Sequence, residues 1–159
     1  RYQQDRGESL YRRSLYTFWR RSVGPTMIFD ASTRQTCAVR QTRTNTPLHA
    51  LVLLNDVTYV EAARGLAQRM LRRDESAGAR LRWAFRAATA RPPLPGELEV
   101  LLQGLERTLS RYREDPGAAG QLISVGESPR DQSLDPVELA AYTATASVLL
   151  NLDETISKE

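Results

Sequence analysis

At 159 residues, 41% hydrophobic and 26% charged, the chain has the size and make-up of one globular domain rather than of a disordered segment. Its formal charge of +3 conceals two opposed halves: residues 1–92 carry 17 arginines against 7 acids, a net +10, and residues 93–159 carry 5 basic residues against 12 acids, a net −7. No apolar run approaches the roughly 20 residues that cross a bilayer. A single cysteine, Cys37, excludes an internal disulfide, and because no x-x-C-H follows it c-type haem attachment is excluded too; with His49 the single histidine, so is any zinc site built from several histidines and cysteines.

The chain opens at Arg1 with neither a starting methionine nor a basic-then-apolar leader, which predicts a processed product or a piece of something larger. The first element, "ESLYRRSLYTFWRRSV", has helical period: Tyr11, Leu15, Phe18 and Ser22 share a stripe flanked by Arg12, Arg13, Arg20 and Arg21. Gly24-Pro25 ends it. Residues 23–45 follow neither a helical nor an alternating pattern and read as one long ordered connection.

Thr46-Pro47 then supplies a capping hydroxyl and a first-turn proline. "PLHALVLL" is apolar almost all round, which predicts a short central helix. Asn55 and Asp56 close it and cap "VTYVEAARGLAQRMLRR", whose stripe is Val60, Ala63, Ala67 and Met70; Gly65 within it predicts close approach by a neighbour. "ARLRWAFRAATA" turns Leu81, Ala84, Phe85 and Ala88 inward, and "RPPLPG" breaks it. From Pro95, "GELEVLLQGLERTLSRYRE" places Leu98, Leu101, Leu102, Leu105, Leu109 and Tyr112 at helical spacing, with acids in the first turn where the helix dipole favours them. Residues 115–134 read as a long loop with at most a short turn at "AAGQLI". Asp135-Pro136-Val137-Glu138 is a strong start for a last helix that buries Tyr142, Ala146, Leu149 and Leu150. The expectation is a single all-α domain over residues 1–159, an irregular bundle of about six helices.

Chemistry is hard to assemble from these residues. His49 is the one candidate base, and it sits inside an apolar helix. Arg34 and Arg40 beside Cys37 favour its thiolate, but no base partner accompanies it. Asp153 and Glu154 are adjacent near the terminus, Glu97 and Glu99 stand on a helix start, and neither makes an acid/base pair. No glycine-rich phosphate loop or metal motif is present. The residues therefore favour a non-catalytic module with no cofactor of its own. Nucleic acid is the weaker reading of the basic half: Arg12, Arg13, Arg20 and Arg21 with Tyr11, Tyr16 and Trp19 would supply phosphate contacts and stacking. Those aromatics, however, lie on the stripe a core requires, and the acidic half repels phosphate. Mutual neutralisation of the two halves is the simpler reading.

"LYRRSLYTFWRRSVGPTMIFDASTRQTCAVRQTRTNTPLHALVLLND" followed by "YVEAARGLAQRM" resembles the C-terminal half of a planctomycete-specific domain of unknown function, and "VGESPRDQSLDPVELAAYTATASVLLNLDETISKE" resembles the way such proteins end. Its relatives are large secreted proteins that often begin with a cytochrome-c-like domain. The resemblance implies an extracytoplasmic parent chain, haem confined to an upstream domain, and partners among the upstream domains of the same chain or a separate protein. It also implies an alternative role, as an accessory part of a redox or carbohydrate-processing enzyme whose reactive centre is upstream. The family has no assigned catalytic residues, so none is carried over.

In that context the polar stretch before the apolar helix reads as a clamp. Arg40, Arg43 and Asn45 would tie the 23–45 connection to the bundle, with guanidinium donors on loop carbonyls and on carboxylates such as Asp30 or Asp56. Thr44 and Thr46 would satisfy free helix amides. The competing reading makes Arg34, Arg40, Arg43, Asn45 and His49 a ligand or partner site on the same loop.

Overall fold

The structure, a computed structural model, describes residues 5–11, 47–73 and 76–156. The chain divides into two compact units, residues 1–49 and 50–159. In the first, Gly7–Tyr11 forms a 3-10 turn, and Gly7 adopts a φ of 62°, open to glycine without strain. The stripe expected to begin at Tyr11 therefore starts differently: Tyr11 is 54% exposed in a 3-10 turn, and its continuation lies outside the described residues.

Seven α-helices follow among the described residues: α1 (Pro47–Asn55), α2 (Val57–Leu71), α3 (Ala77–Thr89), α4 (Pro95–Glu114), α5 (Pro116–Ile123), α6 (Pro136–Leu150) and α7 (Asp153–Ile156). No strand occurs among them, so the fold is all-α, as the periodicity requires. The caps are those that the sequence supplies. The side chains of Asp56, Ser76, Asp115 and Asp135 accept from the amides of Thr58, Ala79, Ala118 and Glu138 respectively.

α6 is the central helix, touching α2, α3, α4, α5 and α7. Leu139, Ala140, Ala141, Tyr142, Thr143, Thr145, Ala146 and Leu149 are all buried on it. Small alanines let neighbours approach on every side, and the two buried threonines satisfy themselves internally: Thr143 Oγ1 donates to Leu139 O at 2.7 Å and Thr145 Oγ1 to Ala141 O at 3.0 Å. Met70, Leu81, Leu105, Ile123, Leu139 and Leu149 lose essentially all solvent contact. Each such burial contributes about 1.5–3 kcal/mol.

Three expectations need correction. α1 is not the central helix: Leu48 is 70% exposed, Leu51 58% and Leu54 41%, and the core begins only with α2. A nine-residue helix carrying four bulky leucines cannot be closely surrounded as the alanine- and threonine-rich α6 is. Gly65 admits no close neighbour, since a Cβ there would meet nothing within 4 Å. The long loop expected over 115–134 holds a full helix, α5. Asp115 caps it and Pro116 fills its first turn, the same pair of signals that opens α6, and the true loop is shortened to residues 124–135.

Candidate functional site

One helix face organises the loop after α5. Glu61, Arg64, Gln68 and Arg72 are spaced three, four and four residues apart, which stacks them on one stripe of α2. Glu61 and Arg64 hold the chain over residues 123–128, and Gln68 and Arg72 hold it at Asp131. Arg64 is only 2% exposed, and its Nη1 donates to Ile123 O at 2.6 Å and Val125 O at 2.7 Å. Its Nη2 donates to Ser128 O at 2.7 Å and Ser128 Oγ at 2.9 Å. The Glu61 carboxylate works on the donors of the same loop, accepting from Glu127 N at 3.1 Å and Ser128 N at 2.7 Å. Further along, Gln68 Oε1 accepts from Asp131 N at 3.3 Å, and Arg72 grips the Asp131 carboxylate at 2.9 and 3.1 Å.

The chemistry of this clamp follows from burial. Glu61 and Arg64 stand 3.8 Å apart with side chains 9% and 2% exposed, so each charge compensates the other in a poorly solvated place. The loop backbone, which forms no ladder of its own, finds both donors and acceptors in the pair. Gly126 completes the fit. At φ +95° it adopts a conformation that L side chains rarely take, and a Cβ there would run into the Glu61 carboxylate. Beyond it, hydrogen bonds from the Ser133 hydroxyl and amide, and then Arg72, hold the Asp131 carboxyl down at about 2.

A second arginine does similar work at the surface. Arg91 forms a fork-to-fork pair with Glu97 at 2.8 and 2.9 Å and another with Glu154 at 2.6 and 2.8 Å, while its guanidinium carbon stands 4.9 Å from the centre of the Phe85 ring. It thereby joins the start of α4 to α7. Glu97 also accepts from Leu94 N, capping α4. The Arg91 bond and that cap hold the Glu97 carboxyl at about 2, and Arg91 lowers Glu154 as well. Three other arginines lie against aromatic rings: Arg69 and Arg73 each stand 5.1 Å from the Trp83 centroid, and Arg80 is 5.8 Å from Tyr142. Arg72 and Arg91 thus pair with acids of the second half, Asp131, Glu97 and Glu154, as mutual neutralisation requires.

Of the residues that the sequence singled out, Arg34, Cys37, Arg40, Arg43 and Asn45 lie outside the described residues. His49 is described and is 6% exposed in the first turn of α1. Glu97 and Glu154 are architectural, both tied to Arg91. The clamp expected at residues 40–45 lies outside the described residues; the one at Arg64 is a different clamp, on a residue that the sequence reading passed over. The signal was present: Arg64 stands one helical turn from Val60, on the apolar side of α2, where a charged residue needs a partner. Among the described residues no group of three His, Cys, Asp or Glu gathers to hold a metal, and no helix is long and apolar enough to cross a membrane.

Fold and site together define an all-helical bundle in which buried and surface arginines fasten loops and helix ends. The chain belongs to the PSD1 family, described as a protein of unknown function (DUF1553), whose match spans residues 1–105. That span includes Glu61, Arg64, Gln68 and Arg72 but ends before the loop they hold. No curated protein and no solved structure matches the chain.

Proposed function

We propose that this chain is a non-catalytic structural or protein-interaction module at the C-terminus of a secreted multidomain protein. The observation that carries the reading is the clamp. The buried ionisable pair of α2, the feature most suggestive of chemistry, is committed to loop backbone: four arginine donors go to three carbonyls and a hydroxyl, and the glutamate takes two amides. Such a device fixes the shape of the exposed 124–135 loop at the cost of two buried charges, and rigidly held loops are where recognition residues concentrate. The extracytoplasmic setting, and any haem in an upstream domain, rest on the sequence resemblance.

Isothermal titration of the 159-residue chain against the remainder of its parent chain tests this reading. Saturable, sub-micromolar association with a shared, higher melting transition is expected. No heat of binding and independent melting of the two parts would overturn it.

A further inference from the structure

Beside the clamp lies a pocket of about 400 Å³ bordered by Arg64, Gly120, Ile123, Ser124, Ser128 and Arg130. From its chemistry we infer that this pocket recognises a carboxylate carried on a short apolar group, as at the C-terminus of a peptide. The inference rests on reading the chain as a binding module, and it names the chemistry that the module takes.

Charge is the first ground. Two arginines border the pocket and no acid does. Glu61 already compensates Arg64, from 3.8 Å, and is itself held by the amides of residues 127 and 128. Asp131 is held by Arg72 and Ser133. Arg130 is exposed and makes no ion pair or hydrogen bond among the described residues, so it is the free cation of the pocket. One uncompensated guanidinium suits a monoanion better than a phosphate dianion, and its planar fork matches a carboxylate.

Donor accounting is the second ground. Ser128 Oγ accepts from Arg64, which leaves its own proton to give. Arg64 Nε is buried with no hydrogen-bond partner, an orphan in a guanidinium whose other donors are all in use. Arg64, its charge offset by Glu61, aims Ser128, while Arg130 supplies the open fork. Shape is the third ground. Gly120 and Ile123 give an apolar wall, and a Cβ on Gly120 would meet nothing within 4 Å, so room remains for a small aliphatic side chain. The volume is that of a small-ligand site.

The test is an amide-resolved NMR titration of the full 159-residue chain with N-acetyl-leucine, N-acetyl-leucinamide and inorganic phosphate. Saturable shifts at Gly120, Ser124 and Ser128 are expected with N-acetyl-leucine. Its amide should bind about tenfold more weakly or worse, since the charge-assisted pair is gone. Arg130→Gln should weaken N-acetyl-leucine by a similar factor, and Gly120→Leu, which fills the pocket, should abolish the shifts without lowering the melting temperature. Equal binding of acid and amide, preference for phosphate, full affinity in Arg130→Gln, or no saturable shift with N-acetyl-leucine would each overturn the inference. The two readings fail separately: the pocket on N-acetyl-leucine, the docking of the module on the titration against the parent chain.

Discussion

The Glu61–Arg64 pair and the Arg91 hub solve the same problem, fastening chain segments distant in sequence, in opposite environments. At the first, the charges are almost wholly out of water and their partners are mostly backbone. At the second, Arg91 and Glu97 are about one-third exposed and Glu154 is half exposed, and the strongest contacts are charge to charge. The lesson concerns removal rather than formation. Deleting one member of a buried pair leaves a charge with neither water nor partner, whereas a surface partner returns to solvent.

The sharpest way to break the comparison is Arg64→Met. It keeps volume and apolar packing but leaves Glu61 uncompensated and three carbonyls without their donor. A loss of about 3–5 kcal/mol is expected in chemical denaturation, large against a typical domain stability of about 5–15 kcal/mol. Pairing it with Glu61→Gln should cost less than the two single losses added, because the pair acts as a unit. Simple additivity would mean that the two residues serve the loop independently. Gly126→Ala attacks the same clamp from the loop side. The new methyl meets Glu61 and the backbone leaves its preferred φ, which predicts a loss of about 2–3 kcal/mol. That loss should shrink in a Glu61→Ala background, where the obstructing carboxylate is gone.

The surface hub should show itself in pH and salt rather than in neutral-pH stability. The Glu97 carboxyl titrates near 2 in the folded chain against an ordinary value of 4.5. A depressed carboxylate contributes stability that is fully present above its unfolded pKa and disappears as pH falls through its folded one. The melting temperature should therefore fall between about pH 4.5 and pH 2, more steeply than in Arg91→Gln, where the main cause of the depression, the hydrogen bond from Arg91, is absent. High salt should imitate that substitution, since exposed pairs are screened at about 3 Å in 1 M salt, while the Arg64 clamp barely responds. A chain and an Arg91→Gln variant with superimposable acid melting curves would remove the hub from the account.

How much of this was legible in the sequence depends on which residues carried the information. The stripe Val60, Ala63, Ala67 and Met70 is written in the spacing, and it is buried. So are the aspartate–proline starts, yet the one at Asp115-Pro116 was hidden by Gly117 and Gly120, which depress helix propensity within only eight residues. α1 and α6 are both apolar all round; what separates them is side-chain volume, because a helix enclosed on every side needs alanine and threonine more than leucine. The clamp itself was written as Glu61, Arg64, Gln68 and Arg72, but a row of polar residues on a helix reads equally as a solvated face. Only the loop that returns to it from residue 123 onward decides between the two, and that return is a tertiary fact separated by about sixty positions.

The smallest effect concerns the turn that delivers Arg91 to its two carboxylates. Ala90 ends α3 with φ 64° and ψ 0°, left-handed geometry for a residue that carries a Cβ, while its amide donates to Arg86 O at 2.9 Å. That conformation costs an L residue about 1–2 kcal/mol, and glycine adopts it freely. Ala90→Gly removes the cost but gives the unfolded chain more freedom, about 0.4–1 kcal/mol, so a net gain of about 0.5–1 kcal/mol remains. For a domain of this size that is a rise in melting temperature of about 1–4 °C. Because residue 90 adjoins Arg91, the sign of the change also reports on the hub. A gain with the acid transition unaltered means that the hub tolerates a looser turn. A fall in melting temperature would mean that stiffness at residue 90 positions Arg91 and outweighs the strain.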